Sequence, residues 1–98
     1  MKAAIYCRVS TQDQSLETQR EACIEYCKRF VYDYVVFEEK ISGAKATRPQ
    51  LDKMMQRLRQ REFKAVVVWK LDRLGRSVAH LVQLVEEFKN KDVKFISV

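Results

Sequence analysis

Glycine, proline and histidine are scarce in this chain: two, one and one among 98 residues. The glycines, Gly43 and Gly75, lie far apart, so there is no glycine-rich loop to cradle the phosphates of a nucleotide. His80 falls within a helical pattern, one turn from Leu84 and away from the polar motifs described below, which argues against a Ser-His-Asp relay. Cysteine occurs three times, an odd number that makes no disulfide framework. Cys23 and Cys27 stand one helical turn apart and could share a metal. With the single histidine remote in sequence, they read instead as reduced core thiols. No apolar run approaches the roughly 20 residues needed to cross a bilayer. The opening MKAAIYCRVS carries a positive residue but no apolar core long enough for a signal peptide, so a cytoplasmic protein without a membrane partner is expected. No acidic cluster follows the first apolar segment, which disfavours a metal-binding phosphoacceptor domain. Repeats, low-complexity tracts and linkers are also missing.

What is present fits one domain with a modest core: 47% hydrophobic and 33% charged residues. Nineteen Lys+Arg against 13 Asp+Glu leave a net charge of +6, which favours a polyanionic partner. The plan is set by Ala65–Ser77 (AVVVWKLDRLGRS). Ala65 to Trp69 are apolar without alternation, the pattern of a strand covered on both faces. Asp72, Arg73 and Arg76 follow at once, and Ser77 offers an N-cap to a helix patterned on Val78, Leu81, Val82, Val85 and Phe88. A buried strand thus delivers a carboxylate and two guanidiniums to its carboxyl end, where open α/β sheets place their sites.

The rest of the chain repeats that unit. Residues 2–7 (KAAIYC) predict a first strand, followed by Arg8, Val9 and Ser10 and the polar run 12–15. Leu16, Cys23, Tyr26, Cys27 and Phe30 share one face of a helix over about 15–30. Gln19 lies on that same face and needs a partner or a task there. Tyr34–Glu38 reads as a second strand, 39–47 as a connecting loop, and Arg48-Pro49 as the start of a helix whose buried stripe is Leu51, Met54, Met55 and Leu58. An arginine beside a helix start is unfavourable, because the helix dipole is positive there. A nearby anion would explain it. A fourth strand begins near Asp92. The order β-α-β-α-β-α-β predicts a parallel sheet with helices on both faces.

Strand ends and the intervening loop therefore assemble Arg8, Ser10, Asp72, Arg73 and Arg76 with Glu39, Ser42 and Arg48. Guanidinium forks match phosphate oxygens and keep their charge at any working pH. Such a cluster can neutralise charge developing on a phosphoryl group without a metal. Ser10 is then the candidate nucleophile, and Asp72 is better suited to orienting the arginines than to acting as a base.

Tyr6-Cys7-Arg8-Val9-Ser10-Thr11, Glu39-Lys40-Ile41-Ser42-Gly43, Arg48-Pro49 and Lys70-Leu71-Asp72-Arg73-Leu74-Gly75-Arg76-Ser77 together resemble the catalytic domain of serine site-specific recombinases, the resolvase/invertase family. The resemblance runs through nearly the whole chain. It implies a Rossmann-like, three-layer α/β fold with a mostly parallel sheet of about four strands and helices on both faces. It also implies that Ser10 attacks a phosphodiester of double-stranded DNA to form a 5′-phosphoseryl link, with no metal, ATP or other cofactor. By the same resemblance Arg8, Arg48, Arg73 and Arg76 bind and activate the phosphate, and Asp72 holds them in place. Tyr6, Gln14 and Gln19 would support the site, with Glu39 and Ser42 beside them. The family acts as dimers that pair into tetramers on DNA. Glu39 departs from the pattern: the family usually has aspartate there, one methylene shorter. The family's long dimerisation helix and DNA-binding domain are expected after Val98, so residues 1–98 represent a truncated catalytic domain that does not recombine DNA alone. A motif starting at residue 6 disfavours the branch with an N-terminal DNA-binding domain. Two other readings stay open: a non-catalytic nucleic-acid-binding module, and a metal-dependent nuclease built on Glu38, Glu39 and Asp72.

Overall fold

A computed structural model of the chain describes residues 1–10, 16–41, 48–69 and 78–98. They form β1 (Lys2–Ser10), α1 (Leu16–Arg29), β2 (Asp33–Ile41), α2 (Pro49–Arg59), β3 (Ala65–Val68), α3 (Val78–Asn90) and β4 (Lys94–Ser97). All strand pairs are parallel, in the order β2-β1-β3-β4. This is the expected parallel α/β sheet. Two strands run further than their apolar runs suggested. β1 continues through Arg8 to Ser10, and β2 through Glu39 to Ile41, because these polar ends pair with one another, Arg8 opposite Glu39 and Ser10 opposite Ile41. Glu39 thus belongs to a strand, not to the predicted loop.

Alternation along β1 divides the interior in two. Ala3, Ile5 and Cys7 pack with Ala65 and Val67 against Cys23 and Cys27 of α1. Ala4 and Tyr6 pack with Val66, Val68 and Phe37 against Leu51, Met54, Met55 and Leu58 of α2 and Leu84 and Phe88 of α3. The stripe read for α2 is the one buried. That of α3 is turned slightly: Leu84 is buried and Val82 is half exposed, because α2 places Leu51 and Met55 beside Leu84 and His80. Phe30 lies in the turn after α1 and is exposed rather than packed on its face.

The cysteines are free and buried. The Cys7 and Cys23 thiols share a hydrogen bond; that bond and burial raise Cys23, and burial raises Cys27.

The three helices close in the same way, without glycine. Val31, Arg61 and Asp92 adopt left-handed φ values of 59°, 64° and 58°. In each turn the next residue's amide reaches back to the helix: Tyr32 to the Cys27 carbonyl (2.8 Å), Glu62 to Arg57 (3.2 Å) and Val93 to Phe88 (2.8 Å). This is the Schellman closure, whose left-handed position favours glycine because a Cβ is strained there. These caps lie at the amino edge of the sheet, where Lys2 and Arg57 also pair with Glu62 and the Arg57 guanidinium stacks over Phe37 and Phe63.

Val31→Gly removes a β-branched Cβ from an exposed left-handed position and is expected to raise stability by about 1 kcal/mol in urea denaturation. Arg57 and then Lys2 hydrogen bonds hold the Glu62 carboxyl down to about 2. A carboxylate depressed in the folded state stabilises above its unfolded pKa, and that contribution is lost as pH falls toward the folded value. The wild-type protein should therefore exceed Glu62→Gln in melting temperature at pH 7, and the gap should close as pH approaches 2.

Candidate active site

Order β2-β1-β3 means that the chain leaves β1 toward one side through α1 and reaches β3 on the other side through α2. The carboxyl ends of β1 and β3 therefore flank a topological switch point, the place where open α/β sheets bind their ligands. β3 ends at Val68, level with Tyr6, while β1 and β2 run on to Ser10 and Ile41. Of the predicted site residues, Tyr6, Arg8, Gln19, Glu39 and Arg48 are described with their side chains. Ser10 is described as the last residue of β1. Gln14, Ser42, Asp72, Arg73 and Arg76 lie outside the described residues.

The Tyr6 hydroxyl and the start of α2 converge on the Glu39 carboxylate. Its Oε1 accepts from the Tyr6 hydroxyl (3.4 Å) and from the backbone amides of Gln50 (3.1 Å) and Leu51 (3.2 Å). Oε2 lies 3.3 Å from the Gln50 amide. Glu39 and Arg48 are only 4% and 6% exposed, so a carboxylate and a guanidinium are sealed in at one edge of the sheet. Tyr6 is wholly buried; desolvation and the Glu39 charge raise its phenol well above the usual range, while Arg48 and Arg8 pull it down. It stays protonated and serves as a donor. Both arginines are close enough to be felt at the same hydroxyl.

Arg48 precedes α2 directly and its own side chain makes no cap. It is a buried residue rather than a bland surface arginine, and the anion at the helix start is supplied by the chain itself, as Glu39. Gln19, fully buried on α1, donates from Nε2 to the Arg8 carbonyl (3.3 Å). The partner expected for it proves to be the end of β1, so α1 is tied to the strand that carries Arg8 and Ser10.

Successive residues on β2 face opposite sides. Glu38 turns toward α1, where Arg20 binds it at 2.5 Å, and Glu39 turns toward α2. The two cannot jointly ligate one ion as the nuclease reading requires. Among the described residues no group of three His, Cys, Asp or Glu side chains is placed to hold a metal. The contribution of the α2 amides was not anticipated. The signal for it was present: an arginine cannot accept and Pro49 has no N–H, so the next two amides need an acceptor from elsewhere.

The family model for the resolvase N-terminal domain matches residues 3–98. The chain is 44% identical over 93 residues to the transposon Tn917 resolvase of Enterococcus faecalis, covering 95% of this chain and 47% of that protein. It is 42% identical over 93 residues to the serine recombinase gin of Escherichia phage Mu, covering 94% of this chain and 44% of that one. It thus spans just under half the length of these relatives. Among solved structures, the N-terminal catalytic domain of TP901-1 integrase superposes with a TM-score of 0.86 at 34% identity, over 99% of this chain and 76% of that one. With its parallel sheet, its switch-point cluster and these likenesses, the chain belongs to the serine recombinase family, as a resolvase N-terminal domain.

Proposed function

We propose that this chain is the catalytic domain of a site-specific DNA recombinase that cuts and rejoins double-stranded DNA through Ser10. The reading is carried by one juxtaposition: Arg8 and the buried Arg48 meet Tyr6 and Glu39 at the carboxyl edge of β1, the strand that ends on Ser10. The Ser10 hydroxyl oxygen bonds to phosphorus, and the bond from phosphorus to the 3′ oxygen breaks. The serine proton is lost to water and the 3′ oxygen takes one up, leaving a 3′-hydroxyl and a 5′-phosphate esterified to Ser10. One phosphate ester replaces another, so reversal rejoins the strand without ATP.

Charge on the non-bridging oxygens grows as phosphorus is attacked. Arg8 and Arg48, with Arg73 and Arg76, supply fixed positive charge there in place of a cation. Asp72 orients that group. Gln14, Gln19 and Ser42 complete the support of the site, Gln19 by holding the end of β1. The net charge of +6 suits a DNA partner, and dimers pairing into tetramers on DNA are the working assembly of the full-length protein.

With the full-length protein and duplex fragments of host genomic DNA, a denaturant-stable protein–DNA adduct is expected, unaffected by EDTA. Ser10→Ala should abolish the adduct and leave DNA retention intact in a filter-binding assay. Arg8→Ala and Arg48→Ala should slow adduct formation by roughly 100-fold or more and weaken binding far less, since contacts that tighten on the transition state act on rate. An adduct persisting in Ser10→Ala removes that residue from the role. Salt-sensitive binding with no covalent species returns the chain to a simple binding module. Loss of cleavage on chelation points to a metal-dependent nuclease.

A further inference from the structure

The start of α2 poses a problem that its own sequence does not solve. The first amides of a helix lack intrahelical acceptors, and a Ser, Thr, Asp or Asn at the N-cap usually meets them. Here the N-cap is Arg48, which offers only donors and adds positive charge where the helix dipole is already positive. Pro49 has no amide to satisfy, which leaves Gln50 and Leu51. Both donate to one oxygen of Glu39, a residue on a different element, eleven and twelve positions upstream. The same oxygen receives the Tyr6 hydroxyl from β1. A single carboxylate therefore joins β1, β2 and α2 at the point where Arg48 enters the site.

From this we infer that Glu39 is a positioning residue: it caps α2 from the neighbouring strand and thereby sets Arg48 against the phosphate, and the glutamate length is what the geometry requires. The inference rests on the recombinase reading for what Arg48 binds. Glu39 is held by the sheet through its pairing with Arg8, so its Cα cannot approach the helix. An aspartate would withdraw the carboxylate by about 1.5 Å, one carbon–carbon bond. Contacts already at 3.1–3.3 Å would then pass beyond hydrogen-bonding range. A glutamine keeps the reach and one acceptor oxygen for the three donors on Oε1, and loses the charge and the longer Oε2 contact with Gln50. The cap thus ranks the substitutions by length before charge. A proton-transfer or purely electrostatic role ranks them the other way.

The test compares Glu39→Gln, Glu39→Asp and Glu39→Ala in the full-length protein. Exchange of the Gln50 and Leu51 amides is followed by NMR, alongside the rate and pH profile of adduct formation on duplex genomic fragments. Glutamine is expected to keep both amides protected, to slow the reaction only several-fold and to leave the shape of the pH profile as in the wild type. Aspartate and alanine should each lose roughly five- to tenfold of the amide protection and about 100-fold in rate, the cost of misplacing a group by an ångström or so. Aspartate closest to the wild type with glutamine as poor as alanine would overturn the inference, as would full protection of both amides in Glu39→Ala. If wild-type protein forms no adduct while Glu39→Ala still exposes the two amides, the cap stands. It is then the recombinase reading, and the purpose assigned to Arg48, that falls. Glu39→Gln preserves the three Oε1 hydrogen bonds, so the comparison survives if alanine fails to fold.

Discussion

The constraint on which the molecule depends is the two-sided burial of β1. Strands β2 and β3 pair along its edges and helices cover both faces, so Ala3 to Cys7 are sealed completely. Parallel strands need this arrangement, since their connections place helices on both sides. A strand fixed on four sides is open only along its own axis, and one of those two openings lies past its carboxyl end. Arg8 and Ser10 are what it delivers there.

The two ends of the sheet then divide the work. At the amino edge lie the three helix closures and the Arg57–Glu62–Lys2 cluster, which hold turns together and leave charges partly in water. Toward the carboxyl edge, among the described residues, Glu39 and Arg48 are nearly inaccessible. Burying ions is expensive unless they are paired and hydrogen-bonded. The expense is met by backbone amides and a phenol around Glu39. The same forces thus act at opposite ends of one layer, partly in water around Glu62 and out of it around Glu39.

Much of this was legible in the residues. The unbroken Ala65–Trp69 run suited a doubly covered strand, and β3 (Ala65–Val68) is buried throughout, as is the four-residue stripe of α2. Gln19 was conspicuous among apolar neighbours, and its partner is real. Strand ends were harder, because Arg8, Glu39 and Lys40 look like loop residues in a one-dimensional pattern. They are charged and yet lie inside the β1–β2 ladder, which a one-dimensional pattern does not show. The helix closures were invisible for a different reason. Left-handed turns are usually announced by glycine or asparagine, and here valine, arginine and aspartate occupy them. In α3 the positions 81, 85 and 88 fit two neighbouring stripes equally well, and only the placement of α2 decides that Leu84 rather than Val82 turns inward. Length mattered at Glu39 as well: the extra methylene, odd against the family pattern, makes sense once the helix start it reaches is known.

The sulfur chemistry of the α1 layer has a practical side. All three thiols lie beneath α1, and none is open to solvent in the folded chain. A reagent that alkylates cysteine meets them only when α1 lifts from β1, so labelling rate becomes a clock for that single movement, blind to events under α2 and α3. Since the same helix grips the backbone at Arg8, the clock would time the loosening of the strand that ends on Ser10, with no probe introduced into the protein.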